Sequence, residues 1–163
     1  MLPSSHSYAT WFAVLRIYTG IFWLTHGVPK LLNPGFFGPS GMMAGMLREA
    51  SASGHGPYND FILHVALPNA GVVSHLVAWG ETLVGVSLLL GLLTRVGGIV
   101  GVFLPLNYFL LKGSYGQITS LGGLDMAAMA LSFVNIVVPT GLVFGLDGLL
   151  PASRTRKTPA GKE

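Results

Sequence analysis

Apolar residues fall along this chain in four long stretches, each interrupted at its ends by glycine, proline or charge, and none alternates with the period of two that a half-buried strand would show. The first covers about Thr10 to Leu32 and ends at Asn33-Pro34-Gly35. The second covers about Gly71 to Leu93, the third Arg95 to about Lys112 with Pro105 inside it, and the fourth about Leu124 to Phe144. Each is roughly 18–23 residues, enough as a helix to cross a hydrocarbon layer about 30 Å thick. The pattern predicts an all-α membrane protein in which residues 1–150 form one domain, a four-transmembrane-helix antiparallel bundle with short links. The exception is the Gly- and Pro-rich connection from Asn33 to Ala70, where two short helices are expected. One is Met42 to Ala50 behind a Ser40 cap, and the other is Phe61 to Leu67 behind Asn59, stopped by Pro68. Both are apolar on one side, so they are expected at the membrane surface, with Met42, Met43 and Met46 part of that apolar face.

Composition strengthens the membrane reading. Hydrophobic residues make up 51% and charged residues 9% of the 163, against about 25% charged in an ordinary soluble domain. The net charge of +3 is not gathered into a nucleic-acid patch, and the only basic cluster, Arg154-Thr-Arg-Lys157, lies in residues 151–163, read as a basic cytoplasmic tail facing lipid headgroups. With no cysteine, disulfides, Cys-ligated clusters and an internal thiol relay are excluded. Met1 to Thr10 lacks Lys and Arg, so the start of the chain reads as part of a retained first helix rather than a cleavable signal.

Orientation follows from the basic residues. Arg16, Arg95, Arg154, Arg156, Lys157 and Lys162 fall on one side, and Lys30, Arg48 and Lys112 on the other. Both termini are therefore expected in the cytoplasm, with the protein integral to the cytoplasmic (inner) membrane and the long connection outside. Gly97 with Gly101, and Gly141 with Gly145, have the four-residue spacing that lets membrane helices approach closely.

Polar residues gather on single faces at 100° per residue. The first helix aligns Arg16, Gly20, Trp23, Gly27 and Lys30, with His26 on the edge; the second aligns Ser74, Ala78, Glu81 and Gly85; the fourth aligns Asp125, Ala128, Ser132, Asn135 and Pro139. Such faces turn inward, and a charge left alone in hydrocarbon costs roughly 3 kcal/mol or more. Counting depth from the helix ends makes Arg16 the expected partner of Glu81, with Arg95 as the alternative. That pair serves either as a structural clamp or, with Glu81 and Arg16 as candidate catalytic groups, as the proton-handling part of a redox site. Toward the outer side, His26, Lys30 and His75 form a donor set suited to a quinone carbonyl. Haem ligation by His26 and His75 is a weaker reading of the same residues, Lys30, Lys112 and Asp125 also suit snorkelling at the interface, and no metal or cluster site is expected.

These residues resemble a known family. Arg16, His26-Gly27 and Lys30-Leu31 in the first helix are similar to the DoxX/DoxD-like four-helix membrane proteins, as are Gly80-Glu81, Gly85 and Gly91-Leu92-Leu93-Thr94-Arg95. Pro68-Asn69, Asn107-Tyr108 and Phe144-Gly145-Leu146-Asp147 look more like the DoxD branch, which includes the small subunit of thiosulfate:quinone oxidoreductase. The resemblance spans about Thr10 to Leu150. It implies a membrane subunit of a quinone-linked oxidoreductase acting on a small sulfur compound such as thiosulfate, with quinone as cofactor and other membrane or peripheral subunits as partners. The alternative it leaves open is a non-catalytic accessory subunit of a larger respiratory or photosynthetic complex.

Overall fold

The computed structural model describes residues 5–113 and 123–149; the basic tail expected over 151–163 lies outside them. Among the described residues there are six α-helices and no strand: α1 Ser5–Leu32, α2 Met42–Ser53, α3 Pro57–Phe61, α4 Ala70–Leu90, α5 Thr94–Leu111 and α6 Leu124–Val137. A π-helical turn, Ile62–Ala66, continues α3. Short 3-10 turns occupy Pro34–Phe36, Thr140–Leu142 and Leu146–Leu149.

The ends of these helices have local causes. α4 stops at Gly91, whose left-handed backbone (φ 65) no branched residue would adopt cheaply. The N–H of Leu92 then reaches back to Ser87 O at 3.0 Å, closing a Schellman turn three residues before the expected boundary at Leu93. α6 ends at Val137 rather than running to Phe144, because Val138 precedes Pro139 and takes the extended backbone that position favours. The short helices also differ from expectation. Gly41, not Ser40, stands at the start of α2, and α3 begins at Pro57, whose missing N–H costs nothing in a first turn.

The four long helices pack as an antiparallel ring in which α1 neighbours α4, α4 neighbours α5, α5 neighbours α6, and α6 closes back on α1. Glycines set the close approaches. A Cβ on Gly20 would lie 2.6 Å from Leu89 N, and one on Gly27 would lie 2.5 Å from Thr82 N, so the α1 and α4 backbones are nearly in contact along two turns. Gly98 and Gly101 do the same for α5 against α6, meeting Ser132 and Ile136. Trp23, Val84, Leu88, Leu104 and Ala128 fill the ring's interior, and the indole N–H of Trp23 donates to Ser132 Oγ at 3.1 Å.

Outside, the ring is apolar: Trp11, Leu76, Leu83, Ile99, Phe103 and Phe133 are all exposed. A soluble monomer does not present so much contiguous apolar surface to water. α4 and α5 are each long and apolar enough to cross a membrane, and α6 is a shorter apolar helix.

α2 and α3 do more than lie on a surface. With the π turn they fold over the N-terminal half of α4 and build a second core of Phe36, Met43, Ala44, Leu47, Ile62, Ala66, Ala70 and Ala78. Met43 is buried there while Met42 is exposed, so the apolar side of α2 is satisfied by protein.

Candidate functional site

The α1–α4 register decides which charges meet. Because Gly27 sits against Thr82 and Glu81, the next turn of α1 brings Lys30 to the level of Glu81. Lys30 Nζ donates to Glu81 Oε1 at 2.5 Å and Oε2 at 2.6 Å, and to the Tyr108 hydroxyl at 3.0 Å. It also lies 5.1 Å from the centre of the Tyr108 ring and 5.7 Å from that of Phe36, within cation–π range. Glu81 is 1% exposed, and its charge is met there by the Lys30 ammonium group and by a hydrogen bond from the Tyr108 hydroxyl.

The expected Arg16–Glu81 pair is therefore corrected. Arg16 stands fourteen residues before Lys30, about 21 Å lower along α1. The alternative partner, Arg95, is exposed at the start of α5, at that same lower end. Counting depth from helix ends misled because the first turns of α4 rise beside α2 and the π turn, above the end of α1. Glu81 is thus closer to the top of the ring than its position in α4 suggested. The register was partly legible in Gly20, Gly27 and Gly85, the small residues that let these two helices touch.

Arg16 is instead the centre of a polar knot at the opposite end. It is fully buried, and its guanidinium donates to three carbonyls: Thr140 O at 2.8 Å, Val143 O at 3.2 Å and Phe144 O at 2.7 Å. Asp147 is its electrostatic partner. The same carboxylate accepts from Leu93 N at 2.6 Å, Thr94 N at 3.1 Å and Thr94 Oγ1 at 2.6 Å, placing a negative charge on the N-terminus of α5. Leu93 and Phe144, among the described residues the non-glycine ones with positive φ (54 and 50), are each pinned by one of these two charged side chains. Gly91, Gly141 and Gly145 leave no room for a Cβ beside Arg16 or Asp147. The Phe144-Gly145-Leu146-Asp147 segment is thus the lock on the ring's lower end, a role that nothing local in the sequence signals.

Lys30 and Glu81 border a partly open cavity of about 190 Å³ lined by α1, α2, α4, α5 and α6. His26 and Tyr108 line it, with the Lys112–Asp125 pair (2.6 Å) at its margin. His26 Nδ1 lies 2.8 Å from Phe22 O, and since a carbonyl can only accept, Nδ1 is the donor in that bond. Engineered cavities near 150 Å³ take a benzene ring, so this space suits one small ring or a small polar molecule.

His75 does not join this group. It is exposed on the N-terminal part of α4, with Nδ1 2.8 Å from Gly71 O and its ring against Phe37. His26 and His75 are therefore not brought together for haem ligation or for a shared quinone site, whereas His26, Lys30 and Glu81 are. Tyr108 completes the site without having been singled out for it. Tyr58, on α3, donates to Asn107 O at 3.1 Å, and burial raises its phenol above the ordinary value, keeping it a donor. Among the described residues no group of three His, Asp or Glu side chains is arranged to hold a metal ion.

A family model described as TQO small subunit DoxD matches residues 11–158. No curated protein and no solved structure matches the chain.

Proposed function

The chain belongs to the DoxD family, and on that premise we propose that it is the membrane subunit of a quinone-linked oxidoreductase acting on a small sulfur compound such as thiosulfate. The observation that carries this reading is a buried Lys30–Glu81 pair, shared with Tyr108, bordering a cavity that also holds His26. A quinone, when bound, supplies an acceptor for two electrons and two protons. The chain's own part is to manage protons and position reactants. Lys30 and Glu81 can exchange a proton over 2.5 Å, Tyr108 extends that pair by one hydroxyl, and His26 lines the same cavity beside them. Glu81 is held away from water, whereas Lys30 keeps part of its side chain accessible from the cavity side.

In this reading all four long helices cross the inner membrane with both termini cytoplasmic. α6 alone rises about 21 Å over its 14 residues, and the apolar Leu142, Phe144, Leu146 and Leu149 carry the crossing to its lower end. Other subunits supply what a chain without cysteine lacks.

The test is thermal unfolding of the purified chain in nanodiscs with and without a short-tailed benzoquinone. The melting temperature should rise by several degrees, and an unchanged melt at saturating quinone rejects the reading. One observation favours a second reading, a non-catalytic accessory subunit: three hydrogen bonds occupy Lys30 Nζ, as in a static clamp. Stable co-purification with a larger respiratory or photosynthetic complex, together with no quinone effect, selects that alternative.

A further inference from the structure

Tyr108 has two sides. One faces the polar cavity with Lys30 and His26, and the other lines a separate cavity of about 350 Å³ enclosed by α2 and the α3–π segment against α4 and α5. Met43, Leu47, Ile62, Val77 and Leu104 make most of this second wall, and its polar groups are those of Tyr58, Asn107 and Tyr108. The π turn, a feature often found at functional sites, contributes Ile62 and Ala66.

A third space, of about 380 Å³, follows α4 and α5 toward the 91–94 turn and shares Gly80 and Val100 with the second. The two together form one trough, which on α5 extends from Tyr108 to Val96, about 18 Å of helix. Gly80 and Gly97 line its floor where α4 and α5 pack closely, a Cβ on Gly97 meeting Ser87 Oγ at 2.6 Å. Leu76, Leu83 and Phe103, exposed on the apolar flank, mark its mouth.

None of the residues lining either part of the trough carries a charge. A phospholipid would leave its phosphate without a counter-ion there. A neutral ring bearing carbonyls, with a long apolar chain, matches it at both ends: the Tyr58 and Tyr108 rings and the Asn107 amide, which has a second N–H beyond the one given to Phe103 O, at the top, and aliphatic walls below. We propose that this trough seats the quinone, its ring at Tyr58, Asn107 and Tyr108 and its isoprenoid tail along α4 and α5. The proposal rests on the quinone-linked reading above and deepens it, because the quinone then approaches Tyr108 from the lipid side while the small polar reactant keeps the His26 side. Tyr108 becomes a positioning residue that divides two reactants.

The test is equilibrium binding of a decyl-tailed benzoquinone to the full chain in nanodiscs, by calorimetry. Val77→Trp and Val100→Phe fill the trough from opposite walls, so misfolding of one leaves the other, and Met46→Trp fills the polar cavity. The trough is supported if each trough filler that melts like wild type weakens binding at least tenfold while Met46→Trp stays within twofold. The reverse pattern overturns the trough and leaves the quinone reading standing. A tail-less benzoquinone binding as tightly as the decyl form overturns the tail's place along α4 and α5. No binding to the wild type rejects the quinone reading itself, and a phospholipid seen by native mass spectrometry to leave with Val77→Trp, unaffected by quinone, assigns the trough to an acyl chain instead.

Discussion

Removing one member of the Lys30–Glu81 pair should expose how much of the α1–α4 contact depends on it. Glu81→Gln leaves an ammonium group beside a neutral amide, and Lys30→Met leaves a carboxylate that is 1% exposed with no cation beside it. Breaking a buried pair costs about 3–5 kcal/mol. The Lys30 side chain retains 23% exposure, so part of its charge can be solvated and about 3 kcal/mol is the expected loss for each single change. For a chain of this size that corresponds to a fall of about 6–12 °C in melting temperature. The double variant Lys30→Met with Glu81→Gln removes both charges and should fall short of the summed losses by about 2–3 kcal/mol. Arg16→Met combined with Glu81→Gln should be additive within about 0.5 kcal/mol, since those sites are about 21 Å apart along α1. Thermal and denaturant unfolding in detergent would measure both cycles. Additivity for Lys30 and Glu81, or coupling between Arg16 and Glu81, would refute the register from which the site is built.

Three further outcomes test other parts of the structure. Arg16→Lys keeps the charge but lacks the planar fork that reaches three carbonyls, so it should lose at least about 2 kcal/mol in unfolding measurements; wild-type stability would show that the knot does not need the guanidinium. Gly27→Val drives a branched side chain into the α4 backbone and should cost about 2–3 kcal/mol, measured the same way, whereas Gly45→Ala, where a Cβ meets nothing within 4 Å, should be neutral or slightly stabilising. Cysteines introduced at Ser53, exposed at the end of α2, and at Ser153 should label from opposite faces of sealed vesicles, and labelling from one face would contradict the four-span topology.

The all-helical class, the existence of α1, α4, α5 and α6 and the family were readable from the sequence, because 3.6-residue periodicity, run length and helix-breaking residues act within a few turns of one another. The start of α6 at Leu124 and the presence of helices near Met42 and Phe61 follow from such local rules. The same rules ran past the ends of α4 and α6, where a left-handed Gly91 and the extended residue before Pro139 stop helices whose composition would let them continue. The polar face of α1 was legible too, and His26, Lys30 and Glu81 do meet. What each charge pairs with was decided only in three dimensions. Pairing depends on the register between helices, and register is set by where glycines such as Gly20 and Gly27 let backbones touch and by how far α4 rises above α1 under the cover of α2. Arg16 and Asp147 show the same limit from the other end. They are 131 positions apart in the chain, and they form one knot only because α1, the 91–94 turn and the segment after α6 converge at the lower end of the ring.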